Sequence, residues 1–82
     1  MEPDGISTLS ANLAANLRHV RGQRALTQQQ ISRLSGLPRS TVAQLETGAG
    51  NPTLAVLSRL AAALRISIEE LLSAPRARCR LF

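Results

Sequence analysis

Few side chains in this 82-residue sequence could do acid–base or covalent chemistry. His19 lies in an arginine-rich run with no Asp, Cys or nucleophilic Ser motif beside it. Glu69 and Glu70 are adjacent, so on a helix they point about 100° apart and do not face each other as an acid–base pair. One His and one Cys are too few for a zinc site or a disulfide framework. No catalytic residue, no metal and no cofactor is therefore expected; His19, Glu69 and Glu70 read as surface or cap residues, and Cys79 as an unpaired exposed thiol. What the sequence does concentrate is cationic charge. Ten Arg and no Lys stand against five acids, a formal net charge of +5. Five of the Arg fall between Arg18 and Arg39 with no acid among them. Such a stripe suits a polyanion surface. It would equally suit a solvated helical face, and charge alone does not separate the two.

The elements that must hold these residues are helical. Hydrophobic residues make up 44% of the chain, dominated by 14 Leu and 12 Ala, with only 12 β-branched residues in the whole sequence. That composition favours an all-α fold. Phe82 is the single aromatic residue, which argues against RNA-recognition and single-strand-binding folds built on aromatic stacking platforms. The longest uncharged stretch, Gly5 to Leu17, is 13 residues with Ser, Thr and Asn in it, too short and polar to cross a bilayer. No signal peptide is evident, so a cytoplasmic location and no membrane partner are expected. The length allows one small domain. A chain of this size buries only about 60% of its unfolded surface, which makes dimerisation a reasonable expectation.

Periodicity and caps place five helices. Leu9, Leu13, Leu17 and Val20 mark an amphipathic helix over residues 8–22, ending near Gly22. Thr27 and Gln30 form a T-x-x-Q capping box that opens a second helix burying Ile31 and Leu34, with Gly36 as its left-handed stop. Pro38, its φ pre-set, starts a third helix that buries Val42 and Leu45 and stops at Gly48. Gly48 to Pro52 is a loop by composition. Thr53 caps a fourth helix with Leu54, Leu57, Leu60, Ala61 and Leu64 on one face. Ser67 and Glu70 form a second box, opening a short helix that buries Ile68, Leu71 and Leu72 before Pro75. The division is a flexible segment over 1–7, a compact five-helix domain over 8–74, and a basic tail over 75–82. In that tail Arg alternates with Ala77, Cys79 and Leu81, a strand pattern that fits the start of a further domain or a disordered end.

The stretch from Gln28 to Thr47 is the informative one. A short helix, a turn at Gly36 and a second helix pack closely, with Ser32 as the small residue at the crossing and Leu37, Val42 and Leu45 locking the pair. This is a helix-turn-helix pattern, whose second helix projects its N-terminal side chains outward. Helical spacing places Ser40, Thr41 and Gln44 away from Val42 and Leu45.

Over residues 8–73 the sequence resembles the lambda-repressor-like, Xre/Cro type of DNA-binding domain. The matching stretches, in order, are L-R-H-V-R, L-T-Q-Q-Q-I, S-G-L-P-R-S-T-V-A-Q-L-E-T-G, N-P-T-L-A-V-L-S-R-L-A-A-A-L and I-S-I-E-E-L-L. The resemblance implies a five-helix bundle and base reading by Arg39, Ser40 and Gln44, with Thr41 as their neighbour. The chemistry of these side chains fits base reading, since Arg clasps guanine, Gln clasps adenine, and Ser or Thr meets several base edges. The resemblance also implies that Gln28 binds a DNA phosphate and braces the third helix, with Thr27, Thr47 and Asn51 as further phosphate donors. Arg21 and Glu46 match a structural ion pair between the first and third helices. One departure is Pro38, where such domains usually carry a capping Ser or Thr.

The function implied is a sequence-specific regulator of transcription that binds double-stranded DNA. The expected form is a homodimeric repressor whose two recognition helices read a near-palindrome about 34 Å apart. Arg18, Arg24 and Arg33 are expected to add sequence-independent attraction. Two related roles stay open: the reading head of a longer cupin-type ligand sensor, and an antitoxin with a toxin as protein partner. A helical protein-interaction adaptor without DNA binding is the reading from another class.

Overall fold

The computed structural model describes residues 5–49 and 51–74. The expectations for residues 1–4 and for the tail from Pro75, Cys79 included, lie outside the described residues. Among the described residues the fold is all-helical: α1 (Gly5–Gln23), α2 (Gln28–Ser35), α3 (Arg39–Glu46), α4 (Leu54–Leu64) and α5 (Ile68–Leu72). Helix α1 packs on α3 and α5, α2 on α3 and α4, and α4 on α5.

The helix starts follow local chemistry. Thr27 Oγ1 accepts the Gln30 amide at 3.0 Å while Gln30 Oε1 accepts the Thr27 amide at 2.8 Å, completing the capping box of α2. Ser67 and Glu70 repeat the arrangement at α5, at 3.0 and 3.2 Å. Thr53 caps α4 through the Val56 amide at 3.1 Å. At the other end of α2, Gly36 sits at φ +76° and its amide returns to the Ser32 carbonyl. A Cβ there would be both left-handed and 3.2 Å from Arg59 Nη1.

Leu13, Leu17, Ile31, Val42, Leu60, Leu64 and Leu71 form the centre of the core. Three leucines expected inside are not. Leu9, Leu34 and Leu54 are 44%, 57% and 70% exposed. On α2, Leu34 and Ser35 lie about 60° and 40° to opposite sides of Ile31. Close packing against α3 selects the side with the small residue. Ser35 is buried, its Oγ donating to the Ile31 carbonyl at 2.7 Å and accepting the Leu37 amide at 3.3 Å. Ser32, expected at the crossing, is only half-buried and donates to the Leu37 carbonyl. Leu54 is the first residue of α4, where a side chain leans back toward the helix start and away from the bundle.

Helix α1 ends at Gln23, in agreement with the stop expected near Gly22, and a turn follows it. The left-handed residue is Ala25, at φ +53°, and Gly22 remains inside the helix. Helix α1 starts at Gly5, ahead of the expected residue 8.

Asn16, 1% exposed, ties α1 to α5. Its Nδ2 donates to the carbonyls of Leu71 and Ser73 at 2.7 Å and faces that of Glu70 at 3.2 Å. Asn12 Nδ2 adds the Leu72 carbonyl at 3.0 Å. These are the C-terminal carbonyls that a helix leaves without partners of its own, so two side chains of α1 terminate α5.

Candidate nucleic-acid interface

Helix α3 is anchored from beneath and open above. Val42, Leu45 and Glu46 are buried, whereas Arg39, Ser40 and Gln44 are exposed and Thr41 is half-buried. The outward row therefore carries one cationic fork, two hydroxyls and one carboxamide, with both donors and acceptors to offer. Pro38 is the N-cap and supplies no side-chain hydrogen bond. Its carbonyl accepts the amides of Thr41 and Val42 at 3.0 and 3.1 Å. The amides of Arg39 and Ser40 precede these and have no acceptor in the helix.

Glu46 is the fixed point under the row. It is 5% exposed. Arg21 meets it with one edge of the guanidinium: Nε lies 2.6 Å from Oε2 and Nη2 lies 3.0 Å from Oε1. Gln28, the first residue of α2, donates from Nε2 to the same Oε1 at 3.0 Å. Arg18 Nη1 donates to the Glu46 main-chain carbonyl. Helices α1, α2 and α3 thus converge on one residue. The buried charge is compensated by an ion and by hydrogen bonds to both oxygens, as a buried carboxylate requires.

The flanking polar residues differ in what they have left to offer. Gln28 is half-buried, with one Nε2 proton on Glu46 and a second not used there. Thr27 uses its oxygen as an acceptor in the capping box, which leaves its hydroxyl proton. Thr47 already gives its hydroxyl proton to the Gln44 carbonyl at 2.7 Å and accepts the Ala49 amide at 3.3 Å, so it mainly terminates α3. Asn51 is exposed in the loop. With Thr41, Gln44, Ala49, Pro52 and Thr53 it rims a hollow of about 120 Å³ beside α3. A second, more apolar hollow of about 200 Å³ adjoins it, sharing Asn51 and Pro52 and lined further by Leu9, Ser10, Leu57 and Leu72.

One contact gives the expected brace between Gln28 and the third helix its partner, and a second has no signature in the sequence. The Gln28–Glu46 bond joins residues 18 positions apart, and Arg24 Nη1 reaches the Leu64 carbonyl, 40 positions away, at 2.5 Å. A single chain shows that these side chains are long and polar but not which distant group they meet.

Comparison with known proteins bears on the family and the fold. A family model described as helix-turn-helix matches residues 17–71. Control protein C.SmaI of Serratia marcescens is 39% identical over 61 residues, 74% of this chain and 73% of its own length. Among solved structures, the hypothetical transcription factor NHTF from Neisseria has a TM-score of 0.82 at 33% identity, covering 100% of this chain and 93% of that one. The restriction-modification controller protein C.AhdI from Aeromonas hydrophila has a TM-score of 0.71 at 37% identity, covering 76% of this chain and 94% of its own.

Proposed function

The chain belongs to the Xre/Cro-type helix-turn-helix family of DNA-binding transcription regulators, and we propose that it is a sequence-specific dimeric repressor acting in the cytoplasm on a near-palindromic operator. The observation that carries this reading is the polar row of α3. Arg39, Ser40 and Gln44 stand exposed on a helix whose opposite side is fixed by Val42, Leu45 and Glu46. A rigid helix offering a guanidinium, a hydroxyl and a carboxamide is suited to the donor and acceptor pattern of the major groove. Gln28, with Thr27 and Asn51, would meet phosphates on either side and set the register. The free amides of Arg39 and Ser40 add anion affinity where Pro38 gives no capping oxygen.

The dimer surface is assigned to the apolar hollow lined by Leu9, Leu57 and Leu72. Because this hollow shares Asn51 and Pro52 with the one beside α3, a second copy seated there would present its own α3 on the same side of the dimer as the first. That is the placement a reader of two adjacent half-sites needs. Sedimentation on duplex DNA tests it: two copies per duplex for the wild type, one copy and weaker binding for Leu9→Glu. Two copies for the variant would place the interface elsewhere.

A finer role is favoured by two of the similar proteins, which are controllers, one of them of a restriction-modification system. A controller of that kind would regulate the genes of a restriction–modification system. Titration into labelled duplexes at rising salt tests the main reading. Affinity should fall steeply with salt and favour one sequence over its scramble. Absence of binding at low salt would overturn it.

A further inference from the structure

We infer that Asn12 is a positioning residue for dimerisation: with Asn16 behind it, it holds the end of α5 where Leu72 forms a wall of the apolar hollow. The inference rests on the proposed seat of a second copy in that hollow. Leu9 and Leu72 both line it, one from α1 and the other from α5. The two helices are not equally fixed. Helix α1 has 19 residues and buries Leu13 and Leu17 in the core. Helix α5 has five residues, of which Leu71 is the buried one. A helix that short has almost no stability of its own, so its position comes from what it touches.

The start of α5 is set by the capping box of Ser67 and Glu70. Its end is set from α1. Leu9, Asn12 and Asn16 follow at spacings of three and four, which makes one row along that helix. Leu9 supplies one wall of the hollow. Asn12 Nδ2 donates to the carbonyl of Leu72 itself at 3.0 Å, and Asn16 Nδ2 to those of Leu71 and Ser73 at 2.7 Å. Water can satisfy part-buried carbonyls at a helix end. Two carboxamides on a long helix add what water does not, a fixed spacing between Leu9 and Leu72. A second copy then meets a hollow already shaped, and α5 does not have to be ordered on association.

Sedimentation of the DNA-free chain over a range of concentrations reads the dimer dissociation constant, at a temperature where circular dichroism shows each variant folded. Asn12→Ala should raise that constant by roughly three- to tenfold, the range of one hydrogen bond. In the Leu72→Ala background the same change should have no further effect, because Asn12 acts through Leu72. A contact that merely stabilised the fold would weaken pairing alike in both backgrounds. Equal weakening in both, or an Asn12→Ala chain that pairs as the wild type does, overturns the inference.

Leu9→Glu separates this outcome from failure of the reading beneath it. Where Leu9→Glu is monomeric and Asn12→Ala pairs normally, the hollow remains the dimer surface and only the positioning role is lost. A wild-type chain that is monomeric at every concentration, or a Leu9→Glu chain that pairs like the wild type, removes the dimer surface and the inference with it. Should Asn12→Ala fail to fold, hydrogen exchange on the wild-type chain gives the answer. Coupling is reciprocal, so if the Asn12 contact favours pairing, pairing favours the contact. Exchange of the Asn12 side-chain amide protons should slow as rising concentration carries the chain from monomer to dimer. Exchange that does not change across that range overturns the inference.

Discussion

Arg24 Nη1 donates to the Leu64 carbonyl at 2.5 Å, so a cation in the turn after α1 closes the last turn of α4. Arg18 does the same for α3 through the Glu46 carbonyl. Both residues were expected to add diffuse attraction for DNA, together with Arg33. The structure gives the first two a second duty at helix C-termini, where a cation is favourable, while no described hydrogen bond holds the exposed Arg33. Arg24→Ala should therefore lower stability by about 1 kcal/mol in urea unfolding with little change in salt dependence. Arg33→Ala should leave the unfolding midpoint in place and reduce the slope of log affinity against log salt by about 0.9.

The Arg21–Glu46 pair is asymmetric, because the Arg21 side chain is 31% exposed and that of Glu46 only 6%. What matters after truncation is the group left behind. Arg21→Ala strands a buried carboxylate and should cost about 3 kcal/mol. Glu46→Gln leaves a guanidinium that can reach water and an amide that still fills the site, and should cost about 1–2 kcal/mol. Urea unfolding of the two variants checks the order, which would reverse if Arg21 were the more strongly desolvated partner.

Two glycines should respond oppositely to alanine. Gly22 is helical and exposed, with nothing within 4 Å of an added Cβ. Gly22→Ala should stabilise the domain by about 0.5–1 kcal/mol, raising its melting temperature. Gly36, at φ +76° with Arg59 Nη1 3.2 Å from that Cβ, should lose about 1 kcal/mol or more on the same change. Melting curves of both variants test whether the turn between α2 and α3 needs its glycine.

The parts of the fold legible in the sequence are those governed by neighbours along the chain. The boxes Thr27–Gln30 and Ser67–Glu70 and the Thr53 cap each lie within four residues, and each forms. Periodicity served the middle of α1 and the second half of α4, where Leu13, Leu17, Leu60 and Leu64 are buried. It misplaced Leu9, Leu34 and Leu54, because a helix a few turns long has an apolar edge as well as an apolar face, and only the packing partner decides between them. On α2 that partner preferred Ser35. The left-handed residue after α1 is Ala25, whose type gives no sign of that conformation in the sequence. At the interface the outward row of α3 was readable from spacing. Of the inward contacts, the Arg21–Glu46 pair and the bracing of α3 by Gln28 followed from the family resemblance, whereas those of Asn16 and Arg24, each to a group on a distant helix, did not.

Base reading by the exposed row of α3 is tested most directly by selection of duplexes from a random library with the wild-type chain, with Arg39→Ala and Gln44→Ala run in parallel. The expected result is one two-fold symmetric motif, relaxed in the variants at particular positions, guanine for Arg39 and adenine for Gln44, each discrimination worth about 1–3 kcal/mol. A motif that both variants recover unchanged, or enrichment of no motif at all, would contradict base reading by this helix.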